Sequence, residues 1–332
     1  MAGLVLLPLF GAASSTLELP GKSWDLLAPQ SPNQITARSL PNFEQLNCAE
    51  CHRVIAEEWA STRHALAWEE SVYQEELTKV RKPAKCHACH APQPVLLTGL
   101  SKRPKTRTED FHFGVDCAAC HLGPEGAIHG PYGAATQAHR SVKDEAFSAL
   151  GSNALCITCH DRSVGPVIGI AKDFDEEDLG DAGYSCVDCH MAKVTRPQAN
   201  DPMATAPLPA RPGRSHALQT PRDPHFLRQA FELKLEERSG VQGLRLANRA
   251  GHRIPGLNDR VLEFTVQFLS ESGAELKRES LFVTREEPLR IREDRWLPLP
   301  DKTHQVRVRG THEARSVAKA LPFLDQSFSP IE

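Results

Sequence analysis

Cys48-Ala49-Glu50-Cys51-His52 decides how this chain is to be read, because its pattern returns four more times. Cys86-His87-Ala88-Cys89-His90, Cys117-Ala118-Ala119-Cys120-His121, Cys156-Ile157-Thr158-Cys159-His160 and Cys186-Val187-Asp188-Cys189-His190 complete the set. The chain has ten cysteines, and all of them fall in these five pairs. C-x-x-C-H is the signature of covalent c-type haem attachment. Thiols three positions apart reach the two vinyl groups of one porphyrin as thioethers. The next residue then places an imidazole under the iron.

Other uses of paired cysteines fit less well. One C-x-x-C serves as a redox dithiol, two make a zinc site, and a secreted Cys-rich chain uses disulfides. None of these requires histidine after every pair, and five pairs do not divide into four-cysteine zinc sites. The pattern predicts five haem c groups, anchored by Cys48, Cys51, Cys86, Cys89, Cys117, Cys120, Cys156, Cys159, Cys186 and Cys189. His52, His90, His121, His160 and His190 are the expected proximal ligands.

Working outward, successive motifs lie 38, 31, 39 and 30 residues apart, which is little protein per porphyrin. The porphyrins are expected to supply much of the apolar core there. No cysteine follows Cys189 in the 332 residues. The Pro-rich stretch from Arg196 to Pro224 reads as a linker. The expected division is a pentahaem region over 21–215 and a β-rich region over 225–332. The formal net charge of −3, read as leaving no strongly basic patch, argues against nucleic acid as a partner. Haem propionates add further negative charge, which favours a partner with a basic face.

The apolar run Leu4–Phe10, followed by Gly11-Ala12-Ala13-Ser14, resembles a signal peptide within residues 1–20, although no basic residue precedes Lys22. No other segment approaches the apolar length of a membrane span. Covalent haem attachment belongs to the oxidising side of the membrane, so a periplasmic or extracellular location is expected.

Ile55–Glu76 reads as one helix, with Ile55, Trp59, Ala65, Trp68 and Val72 near helical spacing. From Phe231 the period becomes two: Phe231, Leu233 and Leu235; Leu244 and Leu246; Leu262, Phe264, Val266 and Phe268; Val306 and Val308. Ser270–Gly273 reads as a turn leading toward Ser280–Thr284. The fold class is therefore α+β: short helices and loops wrapped on haems, then an antiparallel, sandwich-like β-domain.

The second axial position of each iron decides function. A haem with two histidines relays electrons, and an open one also binds small molecules. Ten histidines remain outside the motif positions. His64 is the strongest distal candidate, followed by His129, His139 and His216. His252, in Gly251-His252-Arg253-Ile254-Pro255-Gly256, reads either as a turn residue bonded to backbone or as a cap that the β-domain brings back onto a haem. His112 and His225 are weaker candidates. His87 is constrained inside a motif loop, and His304 and His312 read as surface residues of the β-domain. Met191 and Met203 are poorly placed to ligate iron.

The stretch from Cys48 through Trp59-Ala60-Ser61-Thr62-Arg63-His64-Ala65 resembles the opening of multihaem cytochromes related to hydroxylamine oxidoreductase and its tetrahaem cytochrome partner. The resemblance implies that His64 is a distal ligand. Gly114-Val115-Asp116-Cys117 through His129-Gly130-Pro131, then His139-Arg140-Ser141, is similar to the same group and implies roles for His129 and His139. Asn248–Gly256 resembles a segment opening the C-terminal β-domain of some of these cytochromes. Two departures stand out. Hydroxylamine oxidoreductases carry eight haems, and pentahaem nitrite reductases use lysine at the catalytic haem, where all five positions here are histidine.

These readings favour an electron carrier with mostly bis-histidine haems, exchanging electrons with other cytochromes or a membrane quinol-linked complex. The alternatives are an oxidoreductase acting on a small nitrogen or sulfur compound at one open haem, and a subunit of an extracellular cytochrome filament or other homo-oligomer.

Overall fold

The computed structural model describes residues 48–100, 102–134, 136–165, 167–200, 208–257, 259–315 and 319–330. The signal-like segment and Met203 lie outside them. The chain is α+β.

The first half is a series of short helices. They are α1 (Cys48–Cys51), α2 (Arg53–Ala60), α3 (Ser71–Lys79), α4 (Ala84–His90), α5 (Val95–Thr98), α6 (Cys117–His121), α7 (Ser152–His160), α8 (Ile170–Glu176) and α9 (Cys186–His190). Helix α10 (Pro224–Gln229) leads into the β-region. The single helix expected over 55–76 is broken. Ser61 Oγ donates to the Glu58 carbonyl (2.8 Å) and Thr62 Oγ1 to that of Trp59 (2.7 Å). Such local side-chain bonds compete with the helical ladder, so α2 stops at Ala60 and turns carry the chain through His64 to α3.

Strands β1 (Ile128–Gly130) and β2 (Ser141–Lys143) form a small parallel pair. The stretch expected to be a linker is partly ordered as a ladder: β3 (Lys193–Arg196) pairs antiparallel with β4 (Arg211–Arg214).

The remaining strands are β5 (Phe231–Arg238), β6 (Val241–Asn248), β7 (Val261–Leu269), β8 (Glu275–Val283), β9 (Asp294–Pro298), β10 (Gln305–Glu313) and β11 (Leu321–Phe328). They form two antiparallel sheets in the orders β5-β6-β9 and β11-β10-β7-β8. Ser239 and Gly240, at φ 52° and 77°, make the tight β5–β6 turn, the left-handed pair that two-residue hairpins favour. Along β7 burial alternates strictly, with Leu262, Phe264, Val266 and Phe268 inward. These residues meet Leu244, Leu246, Val306, Val308 and Phe323 in one core. β9 and β11 escape a period-two reading because Pro and charged residues interrupt their apolar pattern.

His312, expected at the surface, is fully buried on the inner face of β10. It follows Val306, Val308 and Gly310 in the inward register.

The β-region also reaches back toward the helices. Asp173 of α8 receives Arg253 through its backbone N–H (3.0 Å) and its guanidinium (2.7 and 2.5 Å). Arg292 pairs with Glu177 (2.8 Å), and Arg315 with Glu75 (2.8 Å) and Glu76 (2.5 Å).

Candidate haem sites

Each C-x-x-C-H motif sits on a short helix and ends with its histidine at or just past the last turn. Residues three and four apart on a helix share a face. The two thiols and the imidazole of a motif are therefore presented to one side, as one porphyrin requires. Local bonds start these helices. Asp116 accepts from the Ala119 N–H (2.7 Å) at the head of α6 and is itself held by Arg107 (2.6 Å). Ser185 caps α9 through the Asp188 N–H (3.3 Å).

Four of the five motif imidazoles face a second imidazole. His52 and His139 have ring centres 6.4 Å apart, His64 and His160 6.2 Å, His121 and His216 6.2 Å, and His190 and His252 6.3 Å. An imidazole nitrogen binds a transition metal at about 2.0–2.1 Å, and that nitrogen lies roughly 1.1 Å from its ring centre. Two imidazoles sharing one ion thus place their centres about 6.2–6.4 Å apart. The four observed spacings fall in that interval, so the residues present fit an iron between each pair.

Protonation agrees with this use. Burial, with neighbouring histidines adding to it, pushes the His64 imidazole down to about 4. Burial also takes His190 and His216 to about 4 and lowers His90, His121, His160 and His252. These rings are neutral near pH 7, with a lone pair free for a metal.

The other ring nitrogen is often occupied by a backbone carbonyl. Nδ1 of His52 lies 2.7 Å from the Gln198 oxygen, that of His90 2.5 Å from Ala67, that of His121 2.7 Å from His129 and that of His190 2.8 Å from Gln219. On the facing side, His252 Nδ1 lies 2.8 Å from the Arg253 oxygen. Such contacts fix the tautomer and leave Nε2 for the metal. His252 is thus bonded to backbone, as the turn reading expected, and also faces a motif imidazole. Asn248, fully buried, shapes its loop by donating to the carbonyls of His252 and Leu289, each at 2.9 Å.

Glu58 of α2 places His216. Its carboxylate accepts from the His216 N–H (2.8 Å) and from both arms of Arg196 (2.5 and 2.7 Å). Gly114 lets the chain before α6 pass His64. At φ 61° it lies against the His64 carbonyl so closely that any Cβ would collide, and Val115 N–H donates to that carbonyl (2.8 Å).

His129 does not occupy a distal position. Its Nδ1 pairs with Asp144 (2.7 Å), and its ring packs over Gly123, where a Cβ would collide with it. It faces no motif histidine; its backbone carbonyl serves the site instead. His90 is the exception among the motif histidines. The described residues include every histidine of the chain, and none faces it. Its neighbour is Tyr73, stacked 3.7 Å away at 6°, with a buried hydroxyl that has no hydrogen-bond partner among the described residues. Neither Tyr73 nor the ring-orienting carbonyls was singled out in the sequence. Tyr73 lay outside the apolar set of the helix expected over 55–76, and a carbonyl has no residue-type signal.

Thiols of different motifs also meet. Cys48 interacts with Cys117, Cys89 with Cys159, and Cys156 with Cys186. Cys120 lies within electrostatic reach of Cys156 and Cys159.

Clustered C-x-x-C-H helices with facing imidazoles define a class of site, one suited to covalent attachment of several c-type haems. Residues 47–122, spanning the first three motifs, match the family described as cytochrome c554 and c-prime. The fold is similar to that of a solved structure, a penta-heme cytochrome c552 from Thermochromatium tepidum. The TM-score is 0.56 over 85% of this chain and 97% of that one, at 16% identity. Neither match is a hydroxylamine oxidoreductase. No curated protein matches the chain.

Proposed function

We propose that this chain is an electron carrier with five covalently bound haems, four of them ligated by histidine on both faces. The pairs are His52 with His139, His160 with His64, His121 with His216 and His190 with His252. The ring spacing of 6.2–6.4 Å carries this reading. Bound haem supplies a one-electron ferric/ferrous couple. The paired imidazoles keep one coordination in both oxidation states, and the carbonyls at Nδ1 limit ring movement. Contacts between thiols order the sites. Motif one adjoins motif three, three adjoins four, and both two and five adjoin four. Other cytochromes or a membrane quinol-linked complex are the proposed partners, in the periplasm or outside the cell.

The test is intact mass together with electron paramagnetic resonance of the ferric protein. Five haem additions and four low-spin bis-histidine centres are expected. Fewer than four such centres would overturn the assignment.

A second reading rests on His90, the motif imidazole that no other faces. Its iron is open to a small nitrogen or sulfur compound, which would make the chain an oxidoreductase at that site. A high-spin signal that responds to nitrite, hydroxylamine, sulfite or cyanide is expected on this reading. Haems that are all low-spin and inert to these ligands would end it.

A further inference from the structure

The net charge of −3 conceals a strongly basic stretch. Residues 79–107, which surround the second motif, contain eight Lys or Arg and no Asp or Glu. The expectation of no basic patch came from averaging over the chain. Lys79 pairs with Glu75 and Glu76, and Arg107 with Asp116. Arg81, Lys82, Lys85, Lys102, Arg103 and Lys105 are exposed and form no ion pair among the described residues.

These six side chains come from two runs that the fold brings together. Arg103 Nη2 donates to the Lys85 carbonyl (3.1 Å). Gln93 N–H donates to the Lys105 carbonyl (2.7 Å), and Arg107 N–H to that of Ala91 (3.0 Å). The second run therefore folds back along the end of α4 and the residues after it. Leu97 of α5, 52% exposed, lies in the chain between the two runs. Exposed apolar side chains near charged ones are common in protein interfaces.

Helix stability does not explain the placement. Arg81, Lys82 and Lys85 stand at the N-terminal end of α4, where the helix dipole repels cations. Propionate binding to the motif-two haem does not explain Arg103 either. Arg103 acts electrostatically on the Cys86 and Cys89 thiols. Vinyl groups, and hence thioethers, lie on the porphyrin edge opposite the propionates.

We propose that this face is the docking surface for an acidic redox protein, and that electrons enter or leave the chain at the His90 haem. The inference rests on the electron-transfer reading. Among the described residues, the thiols of motif two meet those of motif four and no others, so motif two ends a branch of the proposed relay. Six cations spread over two runs are too wide for one small anion and suit the acidic patch of a protein.

The test uses the full holoprotein and an acidic flavodoxin hydroquinone as the probe. One electron passes from the flavin, which becomes the semiquinone, to a ferric haem, which becomes ferrous. Stopped-flow rate constants are measured from low to high ionic strength for wild type and for a Lys82→Glu, Lys102→Glu, Lys105→Glu variant. The wild-type rate is expected to fall at least tenfold with salt, because charge steering is screened. The variant is expected to be at least tenfold slower at low salt, with a nearly flat salt profile. Lys277→Glu, Arg278→Glu on β8 is the control and should leave the rate within twofold. Equal loss in the control, or no loss in the variant, overturns the proposal. So does tight, salt-dependent binding of a short DNA duplex by a wild type that flavodoxin does not reduce. Dithionite separates the premises: haems that it cannot reduce and reoxidation cannot restore refute electron transfer itself, whereas dithionite-competent haems indifferent to charge reversal refute only the docking surface.

Discussion

The β-sandwich and the haem-motif region bury different kinds of side chain. Leu244, Leu246, Leu262, Phe264, Val266, Phe268, Val283, Val306 and Val308 are at most 1% exposed and pack into one core. Between Cys48 and Ala192 the buried apolar residues are mostly alanines, with Trp59, Tyr73, Phe174 and Leu179 as the large exceptions. Among the described residues, the only buried apolar cluster there joins Phe174 and Leu179 to Ile291 of the β-region. A set of short helices with alanine at its contacts cannot repay the entropy of ordering its chain. The β-region carries its apolar bulk in its own side chains; the haem region borrows it from the porphyrins. Position by position, this explains why β strands have large residues inward and haem helices have small ones beside histidine.

The largest effect follows from that contrast. A chain produced without c-type maturation machinery is expected to lose the structure of residues 48–200 and to keep the sandwich. Limited proteolysis should leave a protected fragment beginning near α10, whose far-UV circular dichroism is that of antiparallel sheet. An apoprotein protected throughout would break the comparison.

The converse test removes bulk from the sandwich. Phe264 is 0% exposed and packs edge-on against Phe231 and Phe323. Phe264→Ala should cost about 3–5 kcal/mol of stability in the β-region, since large core truncations leave a cavity. The haem spectrum should be unchanged at temperatures where the sandwich remains folded. Calorimetry and visible absorption read the two regions separately. A shift in the haem bands below the sandwich's melting point would show that the cores are not independent.

The same contrast sets what could be read from sequence. Period-two alternation revealed β7 and β10, because one face of each meets an apolar core. The motifs revealed every proximal histidine, because covalent chemistry fixes their spacing. The facing histidines answer to no spacing rule; the fold brings them opposite motif imidazoles from α2's exit, from the segment before β2, from β4's end and from a loop after β6. His64 was legible from its place after the first motif and from the family resemblance, His139 from the resemblance, and His216 and His252 only as spare histidines near the haem region. His129 stood level with His139 and His216 and shared the resemblance with His139. Only its partners, Asp144 and Gly123, distinguish it.

A narrower prediction separates those two kinds of histidine. His216→Ala should convert one haem from low-spin to high-spin, with the other signals unchanged. His129→Ala should leave the spin states as they are, because its contribution to the site is a backbone carbonyl. Paramagnetic resonance of the ferric proteins checks both. High-spin conversion in His129→Ala would return that imidazole to the ligand set.

The smallest effect lies in the charge cluster that closes the sandwich, away from any haem. Burial raises the Asp294 carboxyl, but Arg238 (2.7 Å) and Arg245 (2.9 Å) outweigh it and hold the group below its ordinary value. A carboxylate depressed in the folded state stabilises above its unfolded value of about 3.9 and loses that contribution as pH falls through the folded value. The melting temperature of the sandwich should thus be higher in wild type than in Asp294→Asn near pH 6. The gap should begin to narrow below about pH 4, where the unfolded carboxyl protonates, and close once the pH falls below the folded value. Arg245 is 5% exposed and also pairs with Glu232 (2.5 Å), so the mutation leaves it partnered and the gap stays small. A gap that persists unchanged at pH 3 would mean that Asp294 acts by packing and not by charge.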